Sequence, residues 1–534
     1  MKRTKRLALP LLAILLATLA CGGPASPTAL PTETRAASPV TQPGLRLDGP
    51  IMIGTEYIVI ENAARVAALA DMLATLALPA AKPLPENFSW GEMQPSPEAP
   101  LDFRRLDDFV AKFQAAGFTE LVLALKPHSS WASNDYPAQG LLPLRGGVKT
   151  EYLDDYENWV YSIVERYDAD GSADMPGLLH PIRFYEIGTE FSSYEPEPVE
   201  EYLVILERAY SAAHRAYDDA IVAHAAFLTT LAFAAHPAPG EYEAAFEAIP
   251  DHNHGLADMR QVLDRPDLFD VVNIHSLGDP YEIEAIVAWL NYEMGQRGYR
   301  KRIIISDTAT TPFIAWGPAT ACDRPPNLMG QIIPPATEAD RCRLADYFTK
   351  LVNGDQDAVR WTQGLAAQNA VKKVVISAGQ GILLINTAFT EDLFWLKLPL
   401  AQAGAGTSAW AGLVDVERRE YRPAYYALAL VVEKIGQYTT VEKPSLGEGI
   451  WAYRFETPSG PLWALWYDDR ALYLPGETPP SVTVSLPFEA ASALLTFTPT
   501  AIGQTEPETQ TIQAAGGTLT FDLGATPVFV EGRP

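Results

Sequence analysis

Two short apolar runs each lead to a carboxylate that could take part in acid–base chemistry. The first run, residues 184–187, continues through Gly188 to Glu190, and the second, residues 303–305, continues to Asp307. Apolar runs of this length are typical of buried strands in a parallel sheet, so each acid is expected at the end of a strand. Two carboxylates in one cleft could hydrolyse a glycosidic bond, because one can protonate the leaving oxygen while the other attacks or activates water.

A repeating fold must position these strands. From about residue 50 to residue 436, short apolar runs alternate with amphipathic helical patterns, which is typical of βα units. The runs that could supply strands are 51–54, 79–88, 120–125, 182–187, 220–227, 269–275, 302–306 and 382–389. Eight units predict an α/β fold, a (β/α)8 TIM barrel with insertions, whose active site would lie at the C-terminal ends of the strands.

The pattern changes after Gly436. Short alternating runs separated by turn residues follow, at 450–456, 462–467, 481–486, 494–498, 518–523 and 527–530. They predict a small antiparallel β-sandwich domain. We therefore assign residues 49–437 to the barrel and residues 438–534 to the sandwich.

The N-terminus predicts export. Basic residues precede an apolar stretch, Leu7 to Ala20, that is too short to span a bilayer. Cys21 follows at once, and the segment 1–21 resembles the signal peptide and lipobox of bacterial lipoproteins, in which the cysteine is lipidated. A signal cleaved elsewhere, with loss of Cys21, is the alternative. Residues 22–48, rich in Pro, Ala, Ser and Thr, are expected to be a disordered tether. The protein would be anchored to the membrane at the cell surface, or secreted.

Net charge argues against one class of partner, and the cysteines predict a covalent cross-link. The net charge of −26 argues against nucleic acid, because no basic stripe exists to neutralise phosphates. Two further cysteines, Cys322 and Cys342, would meet an oxidising environment after export, which predicts a disulfide between them. Two free buried thiols are the alternative.

The order of several motifs resembles glycoside hydrolase clan A, a group of retaining (β/α)8 enzymes with catalytic glutamates at the ends of strands four and seven. The segments that carry the resemblance are 88–107, 121–131, 184–190, 271–275, 302–307, 422–426 and 526–532. The resemblance places the acid/base on Glu190 and turns His275 toward the cleft. It implies an enzyme that cleaves O-glycosidic bonds of a poly- or oligosaccharide and requires no cofactor.

Two positions depart from the clan's pattern. Thr189 replaces the asparagine that would bond the sugar 2-hydroxyl, and Asp307 stands where the nucleophilic glutamate would be. Aspartate is shorter by one carbon–carbon bond, which withdraws its carboxylate by about 1.5 Å. Retention needs carboxyl groups about 5–5.5 Å apart, whereas inversion leaves roughly 6.5–9.5 Å for a water. Three outcomes stay open: a repositioned strand restores retention, a water fills the gap, or the site is inactive.

Each of the polar candidates also has a structural interpretation. Glu190 could be an ordinary solvated acid, and Asp307 could cap a loop or helix, since threonines follow it. Glu186 faces the same side as Glu190 by the two-residue strand period, and could orient cleft groups or make a buried structural hydrogen bond. His275 could bind a sugar hydroxyl, hold the charge of the nucleophile, or be a core histidine.

Aromatic residues near the predicted C-terminal face could bind sugar. Trp90, Trp131 and Trp316 could stack on sugar rings, although most tryptophans belong to the core. Tyr281 is a further substrate-binding candidate.

One loop has a weak resemblance to a calcium site. Asp168, Asp170 and Asp174 alternate around Gly171, but the bidentate glutamate of a calcium loop is missing. A hydrophilic turn is the alternative.

The leading hypothesis is an exported glycoside hydrolase that uses Glu190 and Asp307. A catalytically inactive surface lipoprotein that binds carbohydrate is the second hypothesis, motivated by the two departures at Thr189 and Asp307. A two-lobed solute-binding lipoprotein is disfavoured, because the strand–helix units form one set of eight followed by a sandwich.

Overall fold

The structure, a computed structural model, describes residues 50–136, 144–230, 232–248, 254–311, 322, 334–392 and 410–533. Eight parallel strands close into a barrel in chain order, with the last strand paired to the first, which confirms the predicted TIM barrel. The strands are β1 (Met52–Ile58), β2 (Ala80–Pro83), β3 (Glu120–Leu125), β4 (Phe184–Glu190), β5 (Ile221–Leu228), β6 (Val272–Ser276), β7 (Ile303–Thr308) and β8 (Leu384–Phe389).

The barrel is filled by apolar side chains at one end and by polar side chains at the other. Residues near the N-terminal ends of the strands form one buried apolar cluster, which includes Val122, Phe184, Ile221 and Ile304. A larger cluster lies between strands and helices and buries the alternate side chains, such as Leu123. Burial on both faces explains why the strands appear as near-continuous apolar runs in the sequence. Because apolar side chains fill the N-terminal end of the barrel interior, the polar groups described below lie at its C-terminal end.

Helices cover the outside of the barrel. The longer ones are α1 (Ala63–Leu73), α2 (Arg104–Ala115), α3 (Leu153–Arg166), α4 (Val199–Ala216), α5 (Leu256–Leu263), α6 (Glu282–Gln296), α7 (Arg341–Val352), α8 (Gln356–Gly379) and α9 (Pro423–Ile435). Side chains cap two of them: Asn62 accepts hydrogen bonds from the first backbone N–H groups of α1, and Asp355 does so for α8. Short helices at Trp90–Met93, Phe191–Tyr194 and Tyr242–Glu247 lie in the loops.

Antiparallel strands follow α9 and form a sandwich, as predicted. They are β9 (Thr440–Glu442), β10 (Ile450–Thr457), β11 (Gly460–Tyr467), β12 (Val482–Pro487), β13 (Ser492–Phe497), β14 (Thr509–Gln513), β15 (Thr518–Leu523) and β16 (Val528–Arg533). Six form one sheet in the order β9, β10, β11, β16, β13, β14, and β12 pairs with β15. Alternate apolar side chains of both sheets, such as Leu465 and Leu486, form a separate core.

Tyr281 joins the barrel to the sandwich, so its assignment to substrate is corrected. The ring is 3% exposed and packs 4.2 Å from the ring of Trp451. Its hydroxyl donates to Asp468 and accepts a hydrogen bond of 2.9 Å from Trp466. The guanidinium of Arg470 lies over the ring, 4.7 Å from its centroid. The sequence-based interpretation failed because these partners come from more than 160 residues away, as the separations of 185 and 187 residues show.

Several predicted features lie outside the described residues, namely the signal segment 1–21 with Cys21, the tether 22–48, and Trp316. The sulfur atoms of Cys322 and Cys342 are joined in a disulfide. No helix in the described part of the chain is both long and apolar enough to cross a membrane.

Candidate active site

Glu190 lies at the C-terminal end of β4, just after a bulge. Ile187 pairs with His224 of β5, but Glu190 pairs with Ala226, so β4 contains one extra residue between them. Gly188 lies in the bulge with φ of 89°, and a Cβ atom there would meet Glu195 Oε1 at 2.8 Å. The positive φ therefore favours glycine at this position. The bulge turns Glu190 into the barrel mouth, where it is 8% exposed.

Asp307 also follows a bulge. Ile305 pairs with Ile274 of β6, whereas Asp307 pairs with the next residue, His275, so Ser306 is the extra residue. In a regular strand, neighbouring side chains point to opposite faces. Here both Ser306 and Asp307 reach groups inside the barrel, because the bulge interrupts the alternation. Asp307 is part of β7, and no helix begins among the described residues that follow it, up to Thr311.

The imidazole of His275 lies next to both Glu190 and Asp307. Its Nδ1 atom is 3.0 Å from Glu190 Oε1 and 3.9 Å from Asp307 Oδ2, and its Nε2 atom is 3.0 Å from Ser306 Oγ. One oxygen of Glu190, one oxygen of Asp307 and a ring nitrogen of His275 all lie within 4.8 Å of one another. The two predicted acids thus share one site, although they come from strands on opposite halves of the chain.

Below the acids, a buried cation and anion form a second layer. Lys82 Nζ of β2 lies 2.7 Å from Glu186 Oε2 and donates to Ser306 Oγ at 3.3 Å. Glu186 Oε1 is 3.6 Å from His275 Nε2. Lys82 and Glu186 are both almost fully buried, so each requires the other's charge. Glu186 therefore belongs to the support of the site rather than to its open surface.

These contacts determine the charge of the imidazole. Burial alone would lower the pKa of His275, but Asp307, Glu186 and Glu190 outweigh burial and raise it to about 9. Burial alone would raise the pKa of Glu186, yet Lys82 and His275 lower it to about 2. At neutral pH the site therefore contains a protonated His275 and, beneath it, an ion pair of Lys82 and Glu186.

The spacing of Glu190, His275 and Asp307 would also suit a metal ion. A metal binds the neutral imidazole, whereas here the carboxylates stabilise the protonated ring. A metal ion bound by this group would therefore have to displace the proton of His275.

Glu56, at the end of β1, is a residue that the sequence analysis missed. It is 2% exposed and its carboxyl is hydrogen-bonded to that of Asp307. Burial raises the pKa of Glu56 well above its usual range, and the charge of Asp307 together with this hydrogen bond raises it further. Two carboxyl groups that share a hydrogen bond need one proton between them, and the raised pKa assigns that proton to Glu56. Glu56 is thus a neutral donor that holds Asp307.

Exchange of Glu56 tests this role. We expect Glu56→Gln to retain activity within about threefold, because the amide is neutral and still donates. A hydrogen bond to a charged group contributes about 1.5–3 kcal/mol, so Glu56→Ala is expected to lower kcat/KM roughly 10- to 100-fold. The measurement is kcat/KM against pH for both variants. A glutamine variant as impaired as the alanine variant would contradict a protonated Glu56.

The tryptophans predicted to bind sugar differ in their exposure. Trp90 is fully buried and packs against Trp131 and Trp159, so it is a core residue and not a sugar platform. Trp131 is partly exposed and donates through Nε1 to the carbonyl of Gln94 at 2.9 Å, which leaves it as the candidate for stacking. Thr189 is partly exposed beside Glu190, and its backbone N–H donates to Glu195 Oε1 at 2.8 Å.

Some of the site residues that the sequence analysis missed could have been found from the sequence. Glu56 follows an apolar run, Ile51–Gly54, as Asp307 follows its own, and extending the first strand by two residues would have placed it at the barrel mouth. Lys82 is a charged residue among small ones in a short strand. No sequence signal marks Ser306 as a bulge.

Comparison with solved structures identifies proteins of the same architecture. A family 39 glycoside hydrolase from the gut symbiont Bacteroides cellulosilyticus WH2 matches 92% of this chain and 82% of its own, with a TM-score of 0.56 and 11% identity. A glucosidase from Croceicoccus marinus matches 91% and 97%, with a TM-score of 0.50 and 14% identity. A glycoside hydrolase family 30 subfamily 8 xylanase from Clostridium acetobutylicum matches 90% and 96%, with a TM-score of 0.50 and 10% identity.

Sequence comparison found no match. No protein-family model matches the sequence, and no curated protein matches it. At 10–14% identity the structural likeness concerns the fold alone. The chain has the barrel-and-sandwich fold found in these glycoside hydrolases.

Proposed function

We propose that this protein is a retaining glycoside hydrolase in which Glu190 is the acid/base and Asp307 the nucleophile. The observation that carries the proposal is the approach of one Glu190 oxygen to one Asp307 oxygen within 4.8 Å, with His275 in contact with both. Direct attack requires carboxyl groups about 5–5.5 Å apart, so an approach this close supports retention over inversion, for which the groups lie roughly 6.5–9.5 Å apart. We infer that the extra residue at Ser306, which repositions the end of the strand, offsets the shorter side chain of aspartate.

In the first step, Glu190 protonates the glycosidic oxygen while Asp307 attacks the anomeric carbon. The bond from that carbon to the leaving oxygen breaks, an ester bond to Asp307 forms, and the proton leaves with the alcohol. Glu190 and the Nδ1 atom of His275, 3.0 Å apart, hold one proton between them. A transfer from the imidazolium to Glu190 supplies the acid form.

In the second step, a water attacks the anomeric carbon and Glu190 accepts its proton. The ester bond breaks, Asp307 leaves as a carboxylate, and the sugar is released with its original configuration. The proton returns to the pair formed by Glu190 and His275. Glu56 donates a hydrogen bond to Asp307 throughout, which keeps the attacking carboxylate in place.

Turnover of simple glycosides tests the proposal. The structural neighbours include a glucosidase and a xylanase, which makes glucosides and xylosides the first substrates to examine. We expect the purified protein to release nitrophenol from a nitrophenyl glucoside or xyloside of one anomer, or reducing sugar from xylan. Binding of these sugars with no turnover would instead favour the carbohydrate-binding lipoprotein.

The alkaline side of the pH profile should depend on His275. Its pKa is raised to about 9, so the shared proton is present below that pH and is lost as pH rises through it. We expect wild-type kcat/KM to fall at high pH with an apparent pKa near 9. In His275→Gln we expect this apparent pKa to be lower by at least about one unit, because Glu190 would then hold the proton alone. The half-exposed His180 offers a control, His180→Gln. An alkaline limb that is unchanged in His275→Gln would contradict the shared proton.

We further propose that the protein is exported and attached to the membrane through Cys21. The support is the basic and apolar N-terminal segment followed by this cysteine. Expression in a bacterium with a lipoprotein pathway should place the protein in the membrane fraction, and Cys21→Ser should release it. Equal distribution of the two forms would overturn the lipid anchor.

A further inference from the structure

Three aspartates converge in the loop between α3 and β4. Asp168, Asp170 and Asp174 each contribute one oxygen to a group whose members lie within 4.8 Å of one another. The loop connects a helix to the following strand, so it lies at the N-terminal face of the barrel, opposite Glu190 and Asp307. The aspartates therefore take no part in the site described above.

The backbone of the loop holds these carboxylates in place. Asp174 accepts hydrogen bonds from the backbone N–H of Ala169 at 3.1 Å and of Gly171 at 2.8 Å. Asp170 Oδ1 accepts from the N–H of Ser172 at 2.7 Å. The side chains are thus oriented before any ligand binds, which reduces the entropy cost of binding.

The ends of the loop are also fixed. The N–H of Met175 donates to the carbonyl of Arg166 at 2.9 Å, and the N–H of Ile182 donates to that of Tyr167 at 2.7 Å. The side chain of Arg166 is engaged by Asp107 at 2.8 and 2.6 Å and does not form an ion pair with the three aspartates.

Asp168 gives an independent indication of a ligand. The residue is only 4% exposed, and its Oδ1 atom accepts from the N–H of Asp170 at 3.1 Å. Its Oδ2 atom is buried and accepts no hydrogen bond from any group in the described part of the chain. A buried carboxylate oxygen without a donor, beside two further carboxylates, is an arrangement that a cation would stabilise.

We propose that Asp168, Asp170 and Asp174 bind a calcium ion. Calcium takes six to eight oxygen ligands in flexible geometry, and three carboxylates, supplemented by backbone carbonyls and water, fit that requirement better than the strict octahedron of magnesium. The absence of a bidentate glutamate among these three ligands predicts modest affinity, about 0.1–1 mM, in the range of extracellular calcium modules. The ion would tie the end of α3 to the start of β4, and so stabilise the strand that carries Glu190. This inference does not depend on the proposed hydrolysis.

Thermal unfolding tests the calcium site without any measurement of activity. After treatment with EDTA and dialysis, we expect CaCl2 at 10 mM to raise the Tm of the wild type by about 2–5 °C, and MgCl2 to raise it much less. Asp168→Asn and Asp170→Asn should abolish the response to calcium. In EDTA, Asp168→Asn should melt at or above the wild-type temperature, because it removes an uncompensated buried charge.

Two controls locate the ion. Asp155→Asn changes an exposed aspartate on α3 and should leave the full response. The double variant Glu190→Gln/Asp307→Asn should also retain it, which excludes binding at the catalytic carboxylates. A wild-type Tm that is independent of calcium, or a response that persists in Asp168→Asn, would overturn the proposal and leave an acidic turn only.

Discussion

Asp307→Asn is expected to lower kcat roughly 10⁴- to 10⁶-fold, the range seen when the nucleophile of a covalent mechanism is removed. The amide cannot form the ester with the anomeric carbon, while the rest of the site stays in place. Asparagine has nearly the same shape and can still accept a hydrogen bond from Glu56, so the fold should be preserved. The measurement is kcat on the best nitrophenyl glycoside, with the Tm recorded for each protein.

The matched control for this variant is Asp346→Asn. Asp346 lies on α7, its side chain is 65% exposed, and its partner is Lys350 at 2.6 Å. Exposed ion pairs of this kind contribute little, so this variant should keep wild-type activity and stability. A folded Asp307→Asn protein that retains more than about one per cent of the wild-type kcat would contradict its role as nucleophile.

Glu190→Gln is expected to lower kcat/KM about 10²- to 10⁴-fold on glycosides with a poor leaving group, because no acid remains to protonate the departing oxygen. The loss should shrink on aryl glycosides whose phenol is acidic, since such a leaving group departs without a proton. For these substrates the second step becomes limiting, because water is no longer deprotonated by Glu190. A series of aryl glycosides with graded phenol pKa measures this dependence.

Glu200→Gln is the control for Glu190→Gln, because Glu200 is exposed at the start of α4, close to Glu190 along the chain. The activity of Glu200→Gln should depend on the leaving group no more strongly than the activity of the wild type does. If Glu190→Gln lost the same factor on every leaving group, Glu190 would be a structural residue and not the acid. An undiminished rate on all of them would remove it from the mechanism altogether.

The strands and the order of the barrel could be predicted because burial on both faces makes each strand an apolar run. The third strand, Glu120–Leu125, and the sandwich strand Thr518–Leu523 have the predicted bounds. Two sandwich strands were missed, Thr440–Glu442 and Thr509–Gln513, because their side chains are mostly exposed and lack a strong alternation. Edge strands of this type depend on their pairing partner more than on their own hydrophobicity.

The acids could be predicted individually, but their geometry could not. The bulges at Gly188 and Ser306 depend on the pairing of each strand with its neighbours, and that pairing is not encoded in local periodicity. The contact between Glu56 and Asp307 likewise joins the first and seventh strands. Such long-range contacts set the charge of a site, and a single sequence carries no direct signal of them.

The most direct test of glycoside hydrolysis by Glu190 and Asp307, which each place one oxygen within 4.8 Å of the other's, is the configuration of the first product. Proton NMR of the sugar released in the first minutes, before its anomers interconvert, measures this directly with the nitrophenyl glycoside that the wild type turns over. The predicted result is a first product with the same anomeric configuration as the substrate. A first product of opposite configuration would show that a water attacks directly, and would contradict Asp307 as the nucleophile.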